Sequence, residues 1–322
     1  MTNDELLESI FFQYDLENRN LLVNNADIDL AYYTSLEVLH YILTDGKIWL
    51  RNINCMNDYT EVLWSKNLIF NSIGTFGRLE KLASFFKIFD ADIDWKDRLN
   101  KLIVDMPISM MYNAYITSFT VQRKMNDYGR LSMWRGYGRH VGGLLVFDKN
   151  KILQRDIEGI WLSKVGYFNQ KEFDEQIDKI IFTFQKDIDK LRERKISAEN
   201  IWDVFQRAII FSLISVKHPG FEEEKEWRLI CFNNMSHDSN YISSETKVVN
   251  GIPQKIFMLN IKKILPDILQ KVIVGPTQYK ITIRDAIKED ILALYSGQAY
   301  LPERLIQEKL KFSDITIRPE LL

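Results

Sequence analysis

Four clusters of residues along the chain carry side chains able to do chemistry. Tyr32-Tyr33-Thr34-Ser35 sets two phenols beside two hydroxyls at an expected strand-to-helix junction. There Thr34 can cap the helix while strand alternation turns one tyrosine inward. Alternatively, a ring and the amides of the helix start can face a planar, phosphorylated ligand. Met56-Asn57-Asp58-Tyr59-Thr60-Glu61 reads as a turn and N-cap with Glu61 in the first helical turn. Ser118-Phe119-Thr120 precedes a segment, Met133 to Gly143, that interleaves Trp134, Arg135, Tyr137, Arg139 and His140 with glycines. Glycines let a backbone approach a ligand closely, and Trp134 and Tyr137 can stack on a planar ring. Three residues apart, they would also share one helical face and could serve as core.

The fourth cluster runs from Lys217 to Arg228, with four of the five positions Glu222 to Glu226 acidic. Such a run is ordinarily a solvated turn. If the strand has begun here, Glu224, Glu226 and Arg228 point to one face and Trp227 to the other. Carboxylates grouped on one face repel, which raises the pKa of one of them. A carboxylate flanked by Trp227 and Leu229 needs a partner or a job. Glu226 is therefore the leading catalytic candidate, with Glu224 second.

The elements that must position these residues follow from periodicity. Residues 2–14 read as a helix capped by Asn3 or Asp4, and 18–29 as a polar loop. Leu30–Tyr33 reads as a strand, and Thr34-Ser35-Leu36-Glu37 as a capping box opening a helix that Asp45-Gly46 ends. Lys47–Arg51 reads as a strand and 59–73 and 78–89 as helices; 90–106 has no clear pattern. Tyr115–Thr120, Gly143–Phe147, Trp161–Phe168, Glu226–Phe232, Lys255–Leu259 and Lys271–Val274 are rich in β-branched and aromatic residues and read as strands. Two strong helices intervene: one carries Phe173, Ile177, Ile181, Phe184 and Leu191, and the other runs from Ala198 to Val216, stopped by His218-Pro219-Gly220. Helices near Ile283–Tyr295 and Pro302–Leu310 and a short strand complete the chain. The expected class is α+β. The expected organisation is a lead-in over 1–29, one core domain over 30–280 with helical insertions, and C-terminal helices with a terminal strand over 281–322.

Composition narrows the function classes. The 322 residues carry 42 Lys+Arg against 44 Asp+Glu, a formal charge of −2. That balance argues against a protein built to ride on phosphate backbone. Cys55 and Cys231 form no Cys-x-x-Cys, and His40, His140, His218 and His237 no His-x-x-x-His, so neither a disulfide framework nor a zinc site is expected. No Gly-x-Gly-x-x-Gly follows a strand, so a Rossmann site has no support. The opening MTNDELLESIFFQYD does not read as a secretory signal, and the longest apolar run, near Ala208–Val216, is too short to span a bilayer. The expectation is a cytoplasmic protein with no membrane partner.

The four clusters, in this order, resemble a widespread bacterial family of unknown function, DUF2971. Its pattern runs Tyr-His-Tyr-Thr-Ser, Asn-Asp-Pro-x-Glu, Ser-Phe-Ser, Met-Trp-x-x-Tyr with a glycine-rich strand, Lys, and Glu-x-Glu-Trp-Arg. The counterparts here are Tyr33-Thr34-Ser35, Asn57-Asp58 with Glu61, Ser118-Phe119-Thr120, Met133-Trp134 with Tyr137 and Gly142, Lys217, and Glu224-Lys225-Glu226-Trp227-Arg228. The first motif also looks like the opening of ADP-ribosyltransferase folds. That analogy implies a mostly antiparallel, split central sheet with flanking helices, clasping NAD as substrate, with a protein or nucleic acid as acceptor. It implies that Glu226 stabilises an oxocarbenium-like cation, and that Tyr33, Trp134 or Tyr137 holds the departing nicotinamide. Thr34 and Ser118 become hydrogen-bonding contacts, and Arg228 or Arg139 pairs with pyrophosphate. Where the family has histidine this chain has Tyr32, a phenol that can still donate and accept a hydrogen bond. Bacterial proteins sharing such folds include toxins and anti-phage effectors.

Two other readings stand beside this one. A non-catalytic nucleotide-sensing or protein-interaction module is compatible with Tyr32 and the many aromatics. A metal-dependent nuclease is suggested by Glu223-Glu224-Lys225 ahead of a strand, with Asp203 as the nearest further carboxylate.

Overall fold

The computed structural model describes the chain outside residues 56–58, 76, 139–140, 156, 297–301 and 317–322, and outside the side chains of 59–60 and 106–111. The elements open with α1 (Asn3–Phe11), α2 (Gln13–Asn24), β1 (Ile28–Ser35), α3 (Leu36–Asp45), β2 (Lys47–Asn52), α4 (Tyr59–Gly74), α5 (Arg78–Lys87) and α6 (Trp95–Asn113). They continue with β3 (Ala114–Arg123), α7 (Leu131–Tyr137), β4 (Gly142–Phe147), α8 (Lys149–Leu153), β5 (Trp161–Lys164), β6 (Gly166–Tyr167), α9 (Gln170–Glu193), α10 (Ala198–Ile214) and β7 (Val216–Lys217). The last are β8 (Glu226–Phe232), β9 (Ile242–Val249), β10 (Ile252–Asn260), α11 (Leu265–Ile268), β11 (Leu269–Val274), α12 (Lys280–Leu294), α13 (Pro302–Lys309) and β12 (Leu310–Phe312). The class is α+β, as the interleaved periods indicate.

Where the elements depart from the periodicity reading, the reasons are local. Thr2 caps α1, in a capping box with Glu5. The segment expected as a loop over 18–29 lies largely in α2, which buries only Leu22 and so shows no apolar stripe. Ser35, not Thr34, caps α3, its side chain accepting from the Val38 N–H. Trp161–Phe168 is two strands, β5 and β6, rather than one. Of residues 90–106, where no pattern was clear, those from Trp95 onward lie in α6. β9 has no expected counterpart: apart from Ile242 it is half-buried or exposed, so alternation against a core is faint.

The chain forms two compact units that alternate along the sequence. Residues 1–21, 52–114 and 163–223 make a mainly helical unit, and residues 22–51, 115–162 and 224–322 a sheet-based unit. The helical unit centres on Phe86, whose ring stacks on Trp95 at 4.9 Å and meets Phe184, Trp202 and Phe205 edge-on at 5.4–5.6 Å. In the same unit Lys217 and Glu61 are both buried and pair at 2.7 Å. Glu61 thus binds a buried ammonium rather than merely decorating a helix start. No helix among the described residues is long and apolar enough to cross a membrane.

The sheet-based unit carries a mixed sheet in the order β12-β11-β4-β1-β3-β2-β10-β9, with β8 between β3 and β5. The pair β11–β12 is parallel, while β1–β3, β1–β4, β2–β10, β9–β10 and β4–β11 are antiparallel. Strand alternation sorts side chains to two cores. Leu30, Phe119, Leu145, Phe147, Trp227 and Leu229 join the larger one. Ala31, Tyr33, Leu144, Val146 and Ile273 face the other way and meet Met133 and Trp134 of α7.

Candidate active site

The site begins with a fork in the sheet. β1 pairs with β3 only from Ile28↔Arg123 to Ala31↔Thr120, while it stays paired with β4 as far as Ser35↔Gly142. Beyond Ala31 the partner is lost, and β3 also receives β8. A hollow of about 260 Å³, solvent at its mouth included, opens there. It is lined by Ala31 and Tyr33 of β1, Ser118 and Thr120 of β3, Met133 and Tyr137 of α7, and Glu224 and Glu226, with Phe119 also reaching it.

Alternation decides which residues arrive. Ser118 and Thr120 share the face of Ala31, because Ala31 and Thr120 are register partners. On β8, Trp227 and Leu229 enter the large core, so Glu226 and Arg228 take the opposite face. Glu226 is 3 % exposed and Arg228 1 %. Arg228 Nε donates to Oε1 of Glu226 at 2.7 Å and its terminal nitrogen to Oε2 at 3.2 Å. Ser118 Oγ donates to the same Oε1 at 2.5 Å. The carboxylate is charge-neutralised and fixed from two strands.

A second set of bonds closes the neighbouring wall. Thr120 Oγ1 donates to the Glu224 carbonyl at 2.5 Å. The Arg130 guanidinium bonds Thr120 Oγ1 and reaches that carbonyl at 3.2 Å, while its backbone N–H donates to the Tyr33 phenol oxygen at 2.9 Å. Burial pushes the Tyr33 phenol pKa up, and the Arg130 bonds and charge pull it partly back. Lys225 adopts a left-handed backbone (φ 47°) between Glu224 and the start of β8. Glu224 therefore precedes the strand, yet both glutamates line the hollow.

Of the residues singled out from sequence, Tyr33, Ser118, Tyr137, Glu224 and Glu226 converge here. Tyr32 does not: alternation turns it to the large core, its ring 5.4 Å from Phe119. Burial raises its phenol pKa, offset in part by a hydrogen bond to Thr117 and by the charge of Arg51. Thr34 shares that side of the strand and is absent from the hollow's lining. Trp134 lies behind Tyr33, buried, its ring edge-on to the phenol at 4.8 Å and its Nε1 donating to the Tyr128 carbonyl at 2.9 Å. The nearby glycines serve this ring: a Cβ on Gly142 would stand 2.6 Å from Trp134 Cε3, and one on Gly129 2.6 Å from Cζ2. Trp134 is thus core, and the glycine-rich stretch is its socket. Arg228 serves Glu226 and, buried, has no route to a pyrophosphate. Arg139, Asn57 and Asp58 lie outside the described residues. Asp203 is exposed on α10, on the solvent side of the helical unit.

Sequence reading missed Thr120 as a staple and Arg130 altogether. A signal for Arg130 existed: it occupies the N-cap of α7, where a short polar side chain is the usual choice, and makes no capping bond. No curated protein and no solved structure matches the chain. Residues 133–229, less than a third of the chain, match the family model described as protein of unknown function (DUF2971), which bears out that resemblance from Met133 of α7 through Gly142 and Lys217 to the Glu-x-Glu-Trp-Arg segment.

Proposed function

We propose that the hollow at the sheet fork takes the nicotinamide–ribose end of NAD and that the protein cleaves the bond between them, as an ADP-ribosyltransferase-like enzyme does. The observation that carries this reading is Glu226: a carboxylate held by Ser118 and Arg228 at the wall of a hollow edged by Tyr33 and Tyr137. The hollow is narrow, about 260 Å³ even with the solvent at its mouth counted, so in this reading the ring and its sugar sit at that mouth and the rest of a dinucleotide extends past it.

In this reading the N-glycosidic bond breaks with its electron pair leaving on nicotinamide, and the ribose carbon becomes oxocarbenium-like. Glu226, with its position set before the substrate arrives, accepts a ribose hydroxyl and stabilises the developing positive charge. Tyr33 and Tyr137 provide ring faces for the leaving group. Glu224, the half-buried carboxylate of the lining, accepts the proton of the nucleophile that bonds to the ribose carbon, whether water or an acceptor side chain. The role of such an activity in a toxin or anti-phage effector belongs to this same proposal and rests on the resemblance alone.

One observation favours a second reading, a nucleotide-binding module without catalysis: Glu226 is already bonded to both Arg228 and Ser118, as a purely structural carboxylate would be. Nicotinamide release from NAD, followed by chromatography, separates the two. The catalytic reading expects turnover in the wild type and a fall of about 10²–10³-fold in Glu226→Gln, the worth of one preorganised electrostatic group. Saturable NAD binding by calorimetry without release selects the binding module. Neither release nor binding ends both.

A further inference from the structure

We infer that the free edge of β9 pairs with the same strand of a second copy of the chain, joining two sheet-based units into one sheet across a two-fold axis. β9 ends the strand order and, among the described residues, pairs only with β10. Natural edge strands are ordinarily shortened, bulged, broken by proline or guarded by charge, because their outward N–H and C=O groups invite another strand. β9 is neither bulged nor broken: its pairing with β10 runs without a shift from Ile242↔Leu259 to Val249↔Ile252, and its sequence, ISSETKVV, holds no proline. Asn250 and Gly251, at φ 53° and 80°, close the hairpin as a two-residue turn. β2 pairs with β10 only from Ile256↔Arg51 to Asn260↔Lys47, so past Ile256 the hairpin runs on as a two-stranded ribbon. Such a ribbon is marginal by itself in water. Here it leaves Val248 69 % and Ile252 61 % exposed.

The one remaining guard is charge, and the order of the charges selects a copy of the same strand. A strand that meets its own copy across a two-fold axis sets residues equally far from one central residue opposite each other. Centred on Glu245 or on Lys247, that residue would face its own like charge, which is unfavourable. Centred on Thr246, the pairing sets Glu245 of each copy opposite Lys247 of the other. The two side chains already meet along the strand at 2.6 Å. Across the axis the four therefore close into a ring of alternating sign. The same register sets the exposed Val248 of each copy opposite Ser244 of the other and covers part of its apolar surface.

Sedimentation velocity of the full chain at low salt, from micromolar to millimolar, is expected to show a monomer–dimer equilibrium. Lys247→Glu sets carboxylates opposite each other in both pairs and should weaken association about tenfold; Glu245→Lys should do the same with ammonium groups. The double exchange Glu245→Lys/Lys247→Glu, and an equimolar mixture of the two single variants, both restore opposite charges and should recover the dimer. Oxidative cross-linking reads the register, against the wild type with its own Cys55 and Cys231 as baseline. Opposite Cα atoms of an antiparallel pair lie roughly 4.5–5.5 Å apart, within disulfide reach. Thr246→Cys should therefore link two chains. Ser244→Cys should not, because its two copies stand about 14 Å apart in this register. A chain that stays monomeric throughout has an edge closed by its charges or kept for a strand of another protein, and overturns the pairing. So does a dimer indifferent to the charge reversals, a double exchange that fails to restore it, or equal cross-linking by the two cysteine variants.

Discussion

Arg228 and Glu226 stand two residues apart on β8 and grip one another in a two-pronged bond, at 2.7 and 3.2 Å, with both side chains almost wholly out of solvent. A strand places residues i and i+2 on one face, so this pairing is written into the order Glu-Trp-Arg. Its consequence is asymmetric. The pair is tolerable as a pair, and a carboxylate that has lost its guanidinium in that place is not.

Arg228→Met should therefore cost about 3–5 kcal/mol, because it strands the Glu226 carboxylate. Glu226→Gln should cost less, since the amide oxygen still accepts from Ser118 or Arg228. Urea denaturation of both variants checks the ranking. A smaller loss for Arg228→Met than for Glu226→Gln would contradict it.

The Trp134 socket makes a packing prediction. Gly142→Ala drives a Cβ to 2.6 Å from the indole, and the backbone there is tied to β1 by the Ser35↔Gly142 pair. Overpacking of this kind costs about 1–3 kcal/mol. Trp134→Phe in the Gly142→Ala background should recover part of that loss, so the two changes are less than additive in denaturant melts.

The buried Lys217–Glu61 pair of the helical unit should behave as a unit too. Lys217→Met alone is expected to destabilise by about 3–5 kcal/mol, because the buried Glu61 carboxylate loses its ammonium. Adding Glu61→Leu should restore most of it. Additive losses in the double-mutant cycle would show that the two side chains are held by other partners and not by each other.

A pH dependence follows from Arg78 and Asp178. The Arg78 hydrogen bonds, at 2.7 Å to each oxygen, hold the Asp178 carboxyl below its usual range, with burial opposing. A carboxyl whose folded pKa is depressed stabilises the fold above its unfolded value, near 4, and that contribution fades as the pH falls through the folded value. Because Asp178 is more than half exposed, solvent screens the effect. The stability gap between wild type and Asp178→Asn should be widest above pH 4 and should close as the solution is made more acidic. A gap constant from pH 6 to pH 2.5 would assign the effect to packing.

Much of the architecture is legible in the linear chain because it is local. Alternation alone separates Glu226 and Arg228 from Trp227, and helical periods mark α9 and α10, since each pattern records which face meets apolar neighbours. Elements with little apolar contrast, such as α2 and β9, leave no such record. Residue type and order also single out Tyr33, Ser118, Tyr137, Glu224 and Glu226. Only tertiary structure decides that β1 leaves β3 after Ala31, which opens the hollow. The same packing sends Tyr32 to the large core, seals Trp134 behind Tyr33, and turns Arg228 into the keeper of Glu226. Those outcomes depend on contacts between residues tens of positions apart, such as Arg130 with Tyr33, and no short-range period encodes them.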